Sequence, residues 1–504
     1  MWSGPATAGQ ASPPAVAAPA AAQPAQGPTL DLTMDRAVEM ALEANLGMQA
    51  SRLDIDAADA AIASARAAFL PQLASTLTRG SQTSPPSDFT QGSNDVSSET
   101  FSFGAQLGQV LPGFGTRYDL SWNNNRREQI GGVPIFNPSL QSAFQVVVTQ
   151  PLLRGFLTDQ NRTALRTSQR RRAVADLQLE QEIVRMQSVV QFAYLDLISA
   201  REGLRVAQLN LEIRQTSLAD ARARVAVGAA APIDLISAEA EVASNTANVL
   251  VAEALIATRE DNLRTLILDP ARPDYWDVRI NPVDTVQSEL REIDLDAAIQ
   301  NALANRLDLI AARQTFEINQ LNLRTARDAT RPAVDLRASY ASSGNGGTQF
   351  LFEDFQRVGE QTRSYATVLR DTFGAAYPQW SVGVNVAYPL GRSAADANLA
   401  QQQVAQRQAQ LNIAELELAV VRQIRDAARQ IQNIHQRVLV QRAALAANEQ
   451  QLDAEQRRFA AGLSTTLELQ VRQGQLSAAR QAELDAVIAY NRALIDFERV
   501  QKTQ

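Results

Sequence analysis

The 504-residue chain contains no cysteine. Disulfides, thiolate metal sites, cysteine nucleophiles and a lipidated N-terminal cysteine are excluded together. His435 is its only histidine, so a histidine-cluster zinc site is excluded too. Lysine is almost missing: apart from Lys502, the positive charge is carried by arginine. The formal net charge is -7, and no dense basic stripe exists for phosphates to bind, which argues against a nucleic-acid partner. No run of about 18 apolar residues occurs, so no transmembrane helix is predicted, leaving a soluble protein or a membrane β-barrel. The opening MWSGPATAGQ has neither a basic segment nor an apolar one and does not read as a secretory signal peptide. There is also no phosphate-binding loop, glycine-rich dinucleotide turn, Ser/His/Asp set or carboxylate pair in a plausible cleft. The expectation is a protein that is not an enzyme and holds no cofactor and no metal.

What is present is repetition. Residues 1–30 are rich in Ala, Pro and Gln and read as a disordered linker. Residues 32–73 then align without gaps to 293–334 at a constant offset of 261, pairing Met34 with Leu295, Leu46 with Leu307 and Pro71 with Pro332. Each copy is a helical pattern halted by proline and followed by an alternating stretch. Further on, QPLLRG at 150–155 matches YPLGR at 388–392, Arg224 matches Arg458 and Gly228 matches Gly462. The unit is too long for a solenoid repeat. It predicts a duplicated architecture: a first repeat at 31–268, an equatorial connector at 269–292 and a second repeat at 293–504.

Each repeat contains one very long helix, predicted between Asp159 and Val227 and between Ser393 and Ala461. Apolar residues recur every seven positions at Ile183, Val190, Leu197, Leu204, Leu211, Leu218 and Val225, and again from Ile424 to Phe459. The companion positions are mostly small, which is a coiled-coil signal permitting close helix approach. A helix of roughly 68 residues spans about 100 Å at 1.5 Å per residue. Each turns at Gly228 or Gly462 and returns as a shorter helix, whose apolar row is broken only by Glu483.

The other pattern is strict alternation. In Tyr377–Leu390, Trp380, Val382, Val384 and Val386 face one way and Gln379, Ser381, Gly383 and Asn385 the other. Ala143–Gln150, Leu73–Thr78, Val334–Tyr340, Phe101–Leu107 and Arg117–Trp122 behave similarly. This is the apolar-out, polar-in pattern of a membrane β-barrel. SQTSPPSDFTQGSND and ASSGNGG read as the polar loops between strands.

The order helix, strands, long helix, return helix, all of it twice, together with ALEANL, FLPQL, QPLLRGF and the R-x-x-x-G turns, resembles the TolC family of outer-membrane efflux proteins over about residues 30–500. The resemblance implies an α+β fold: an outer-membrane β-barrel of about four strands per protomer, continuous with a long coiled-coil α-barrel and closed as a homotrimer. Phe101–Trp122, with its PGFG turn, looks like an extra hairpin beyond those four strands. The implied function is a passive conduit from periplasm to exterior in a tripartite efflux or type I secretion system, gated at its periplasmic helical tip. The implied partners are a periplasmic adaptor (membrane fusion) protein, an inner-membrane pump of RND or ABC type, and outer-membrane lipid. The alternative is a structural coiled-coil scaffold without transport activity, which explains the heptads but not the strands.

The turns Arg224–Asp234 and Arg458–Glu468 match the family's adaptor-contacting tip, with Arg224, Gly228, Arg458 and Gly462 as candidates; the glycines also suit simple helix C-caps. Asp234 and Glu468 are candidates for an acidic gate or lumen ring, or for helix N-terminal acids that complement the dipole. Trp122, Tyr340, Tyr377, Trp380 and Tyr388 suit an interfacial aromatic girdle, or the core of a soluble sheet. Pro71, Pro151, Pro332 and Pro389 read as joints between barrel strands and helices. His435 reads as a solvated or lumen-facing histidine, and the run Arg170–Arg172 as a solvated helix face or a stretch near the barrel junction.

Overall fold

The structure, a computed structural model, describes residues 28–503 apart from 86–94, 132–133, 285, 287–288, 290, 354–355 and 392. Most of the stretch expected to be a linker therefore lies outside the described residues. In chain order the elements are β1 (Thr29–Leu32), α1 (Met34–Ala44), α2 (Leu46–Ala67), β2 (Gln72–Ser84), β3 (Val96–Val110), β4 (Arg117–Ile130), β5 (Phe136–Pro151), α3 (Gln160–Ala226) and α4 (Pro232–Ile267). There follow β6 (Arg279–Pro282), α5 (Leu295–Asn305), α6 (Leu307–Ala329), β7 (Ala333–Glu353), β8 (Gln356–Arg363), α7 (Tyr365–Phe373), β9 (Pro378–Ala387), α8 (Ala394–Ala460) and α9 (Thr466–Lys502). The repetition in the sequence reappears in the elements. Helices α1 and α5 each have 11 residues and α3 and α8 each have 67, while α4 has 36 and α9 has 37.

The chain divides into two compact units. The first comprises the residues up to Asn45, Val189–Ser288 and Arg437–Arg492. Here β1 pairs in parallel with β6, so Thr29 and Leu30, assigned to the linker from composition, are strand residues. The Tyr194 hydroxyl lies 2.8 Å from the Leu32 carbonyl and 2.9 Å from Asp284 Oδ2, and burial pushes its pKa up to about 12. Arg201 donates to the Ile280 carbonyl and to Asn281 Oδ1, both at 2.6 Å, and so fastens β6 to α3. Along the helices the seven-residue row faces inward: Val190, Leu197 and Leu218 are buried and Leu204, Leu211 and Val225 half-buried, with Ala221 and Ala238 admitting close approach. Glu483, which interrupts the row, meets Arg442 of α8 at 3.3 Å.

The second unit comprises Leu46–Ser188, Glu289–Gln436 and Ala493–Gln504. Its sheet has the order β2-β3-β4-β5-β7-β8, with β9 also paired to β7. Seven strands stand where the resemblance implied about four. The hairpin expected at Phe101–Trp122 is there and is longer, as β3 and β4. Strand β8 adds a further segment beside the far half of β7, while β9 takes the near half. ASSGNGG is not a loop either; it lies inside β7. Its glycines serve packing: a Cβ on Gly344 would stand 2.2 Å from the Val368 carbonyl oxygen of α7, and one on Gly346 would stand 2.4 Å from Val368 Cγ2.

The buried polar residues include His435 and Arg306, and the first corrects the reading of His435 as a solvated position. His435 is only 8% exposed, because it falls on the same stripe of α8 as buried Ile424, Ala428 and Ile431. Arg306, between α5 and α6, is fully buried. Its guanidinium makes a two-pronged contact with Asp308 at 2.9 and 2.5 Å and donates to Gln423 Oε1 at 2.7 Å and to the Val500 carbonyl at 3.3 Å. Arg170 and Arg172 are partly exposed and tie α3 to Glu317 of α6 and Asp59 of α2.

Truncating a buried, fully bonded charge strands its partners. Arg306→Ala is expected to lower the stability of the second unit by about 3–5 kcal/mol, read as a shift in denaturation midpoint.

Candidate functional site

Directly opposed residues in an antiparallel sheet share a face, so the register assigns each strand residue to a side. One row runs Leu73, Leu107, Leu120, Val146, Tyr340, Trp380 across β2, β3, β4, β5, β7 and β9. The row one residue along lies on the other face and reads Ala74, Gln106, Ser121, Gln145, Ala341, Gln379. The next row on that second face carries Asp119, Ser339 and Ser381, and Asp119 takes both prongs of Arg117 at 2.9 and 3.0 Å. Along these rows one side of the sheet is apolar and aromatic and the other mostly polar, while further along β3 and β4 the first side also carries Glu99, Asn124 and Arg126. The polar side lines an open cavity that includes Arg117, Asp119, Asn123, Gln145 and Arg337.

The apolar side is largely uncovered. Trp380 is 77% exposed, Leu73 75%, and Val382, Val384 and Val386 are exposed beside them. Tyr340, Tyr377 and Tyr388 are exposed as well. Trp122 is placed differently. It sits half-buried against Phe103 and Phe373 at ring distances of 5.6 and 5.8 Å, and its indole N–H donates to Ser142 Oγ at 3.0 Å. The cover is α7, which no sequence signal singled out. It packs on the apolar face through Val368, Thr372 and Phe373, over Gly344, Ser142 and Phe144. Its signal in retrospect is the pair of glycines in β7.

Pro71 and Pro332 stand between a helix end and the first residue of β2 or β7. Pro151 is the last residue of β5, and Pro389 follows β9. A ring that removes the N–H and fixes φ suits a point where the ladder stops.

In the first unit the two long helices end alike. Gly228 and Gly462 both have φ +73°. The Gly228 N–H donates to the Val225 carbonyl at 3.0 Å and the Ala229 N–H to Arg224 at 2.8 Å. The Gly462 N–H likewise donates to Phe459 at 3.1 Å and Leu463 to Arg458 at 2.9 Å. This is the Schellman pattern, and it accounts for both glycines. Arg224 and Arg458 stand in the last turn, where cations favour the helix dipole. The Arg224 guanidinium also lies 4.1 Å from the centre of the Phe459 ring, joining the two turns. Across each turn the acid expected there caps the next helix: Asp234 accepts from the Ala231 N–H at 3.2 Å, and Glu468 from the Thr465 N–H at 3.1 Å and the Ser464 hydroxyl at 2.9 Å. The Thr465 amide, then Ser464, with Arg458 adding attraction, hold Glu468 below the usual carboxylate range.

Among the described residues no cluster of three metal-ligating side chains occurs, and no helix is long and apolar enough to cross a membrane. The model of the outer membrane efflux protein family matches residues 37–118, 109–267 and 298–500. The chain belongs to the outer membrane efflux protein family. No curated protein sequence matches it. Among solved structures, this outer membrane efflux protein is similar in fold to CusC (TM-score 0.67, 16% identity, covering 94% of this chain and 93% of that one). It is similar to the Campylobacter jejuni CmeC outer membrane channel (TM-score 0.64, 14% identity, covering 93% and 85%) and to the Vibrio cholerae outer membrane protein VceC (TM-score 0.64, 16% identity, covering 93% and 96%).

Two outcomes follow from these sites. Leu120→Arg, on the apolar face, is expected to cost about 2–4 kcal/mol and to reduce the folded protein recovered from membranes, while Ser121→Arg, one residue along on the polar face, leaves recovery near that of the parent. At the α9 cap, a depressed carboxylate stabilises above the ordinary glutamate range, and this is lost as pH falls through the folded-state value. Hydrogen-exchange protection of residues 463–468 is therefore expected to drop on acidification in the parent and to change much less in Glu468→Gln.

Proposed function

We propose that three copies of this chain form a passive conduit across the outer membrane, with α3, α4, α8 and α9 standing in the periplasm. The observation that carries this is the sheet register, which puts an uncovered apolar face against a polar one within a family of outer membrane efflux proteins. An apolar face of that extent is costly in water and favourable in hydrocarbon. The polar face, with its Arg117–Asp119 pair, suits a water-filled lumen. The two repeats, 31–268 and 293–504, contribute one hairpin of long helices each and are joined by 269–292.

The turns Arg224–Asp234 and Arg458–Glu468 form the docking rim for a periplasmic adaptor, which brings an inner-membrane pump of RND or ABC type. Asp234 and Glu468, repeated around a three-fold axis, place carboxylates near the constriction, and the Arg224–Phe459 contact helps hold the tip closed. Tyr340, Tyr377, Trp380 and Tyr388 sit at the membrane interface, and the four prolines are the joints between wall and stalk. A coiled-coil scaffold without transport does not account for the sheet.

Reconstitution in planar bilayers tests the conduit. The purified trimer is expected to give discrete conductance steps, and Phe459→Ala to raise the open fraction by loosening the tip. A folded trimer that never conducts would falsify the proposal.

A further inference from the structure

The sheet has six columns rather than seven, because β8 and β9 occupy the same side of β7. Strand β8 pairs with Gly347–Glu353 and β9 with Ala333–Ser342. They are one interrupted strand, with α7 inserted at the break. The columns are then β2, β3, β4, β5, β7 and β8/β9, and all neighbours are antiparallel.

The hairpin β3–β4 belongs to this wall over its full height. Strand β3 pairs with β2 from Val96 to Gly108 and with β4 from Ser97 to Val110, and β4 pairs with β5 from Arg117 to Arg127. It carries both faces over the half nearer its own turn, with Phe103, Leu107, Leu120 and Trp122 on the apolar side and Gln106, Ser121 and Asn123 on the polar side; beyond Trp122 the first side turns polar as well, at Asn124, Arg126 and Glu128. A hairpin lying outside a membrane would have no reason to keep that division in register with its neighbours.

The two outer columns are exposed on both faces. Apart from its last residue, Ser84, every residue of β2 is exposed, and so is every residue of β9. Strand β2 leaves the end of α2, and β9 returns towards α8, so the two edges run in opposite directions. Six alternating columns therefore present edges that pair antiparallel with one another in a ring of identical copies, as an odd number would not. Unpaired strand edges cannot be left in hydrocarbon.

We propose that β2 of one copy pairs with β9 of a second copy, with β3–β4 kept in the wall, so that a three-fold ring closes on three times six, or 18, strands instead of 12. This rests on the three-copy conduit proposed above. Barrel diameter grows roughly linearly with strand number, so the lumen is about 1.5 times as wide as that of a twelve-stranded ring. The barrel is then too wide to act as the size filter, and selection falls to the helical end.

The cysteine-free chain makes the test direct, since an introduced thiol has no background. Thr76→Cys on β2 is combined in turn with Gln379→Cys, Ser381→Cys, Gly383→Cys and Asn385→Cys on β9, which covers the register between copies. Oxidation in membranes is expected to give covalent dimers and trimers for at least one pair. Thr76→Cys with Ala143→Cys on β5 is expected to stay uncross-linked, because two strands stand between them. A cross-link of that last pair within one chain would show β2 directly on β5 and the hairpin expelled, and would overturn the 18-strand ring alone.

Single cysteines in the hairpin provide a second readout. Ser102→Cys and Ser121→Cys are expected to react with a water-soluble maleimide in intact membranes, and Leu107→Cys and Leu120→Cys only after denaturation. Equal labelling of both pairs would likewise overturn the ring while leaving the conduit standing. Failure of the protein to form any oligomer in detergent sinks the conduit itself, and the ring with it.

Discussion

A backbone N–H or C=O with no partner is tolerable in water and costs several kcal/mol in hydrocarbon. This constraint organises the sheet-bearing unit. Its strands satisfy one another from β2 through to β9, yet the first and last columns each keep one side unpaired. The same columns expose apolar side chains that a soluble sheet would cover. In the proposed conduit the edges and the apolar face meet two different neighbours, another protein strand and lipid.

The duplication shows how one pattern tolerates different insertions. Both repeats lead from a proline-terminated helix into the sheet, and from the sheet into a 67-residue helix. The first repeat places the hairpin β3–β4 between its outer strands. The second places β8 and α7 within its returning strand. Neither insertion disturbs the alternation of faces, because β3–β4 adds a whole antiparallel pair and α7 leaves and rejoins the same column. Glycines at 344 and 346 let α7 lie against the apolar face without displacing β7. At the far ends of the helices the repeats stay alike, with the same Schellman turn and the same acid at the next helix start, since a helix end leaves the same orphan backbone groups wherever it occurs.

Much of the architecture is legible in the sequence. Seven-residue spacing and the lack of proline bounded α3 and α8 to within a residue. Alternation located the long strands of the sheet, because a half-covered strand must change polarity at every step. Other features were hidden for definite reasons. ASSGNGG has loop composition, and only contact with α7 explains glycine in a strand. His435 and Arg306 look like surface residues until the stripe they share with their neighbours, or the acceptors gathered around them, are seen. Helix α7 is nine residues long, too short for its periodicity to stand out.

By itself the sequence determined the duplicated order of elements, the length of the helices, the two-faced strands and the glycine turns, all of which depend on neighbours close along the chain. Only the tertiary structure decided how many columns the sheet has, that β8 and β9 share one, which residues α7 covers, and where buried Arg306 finds its partners. Those depend on pairings between residues tens to hundreds of positions apart, and local pattern cannot distinguish a strand that joins its neighbour from one that stands aside.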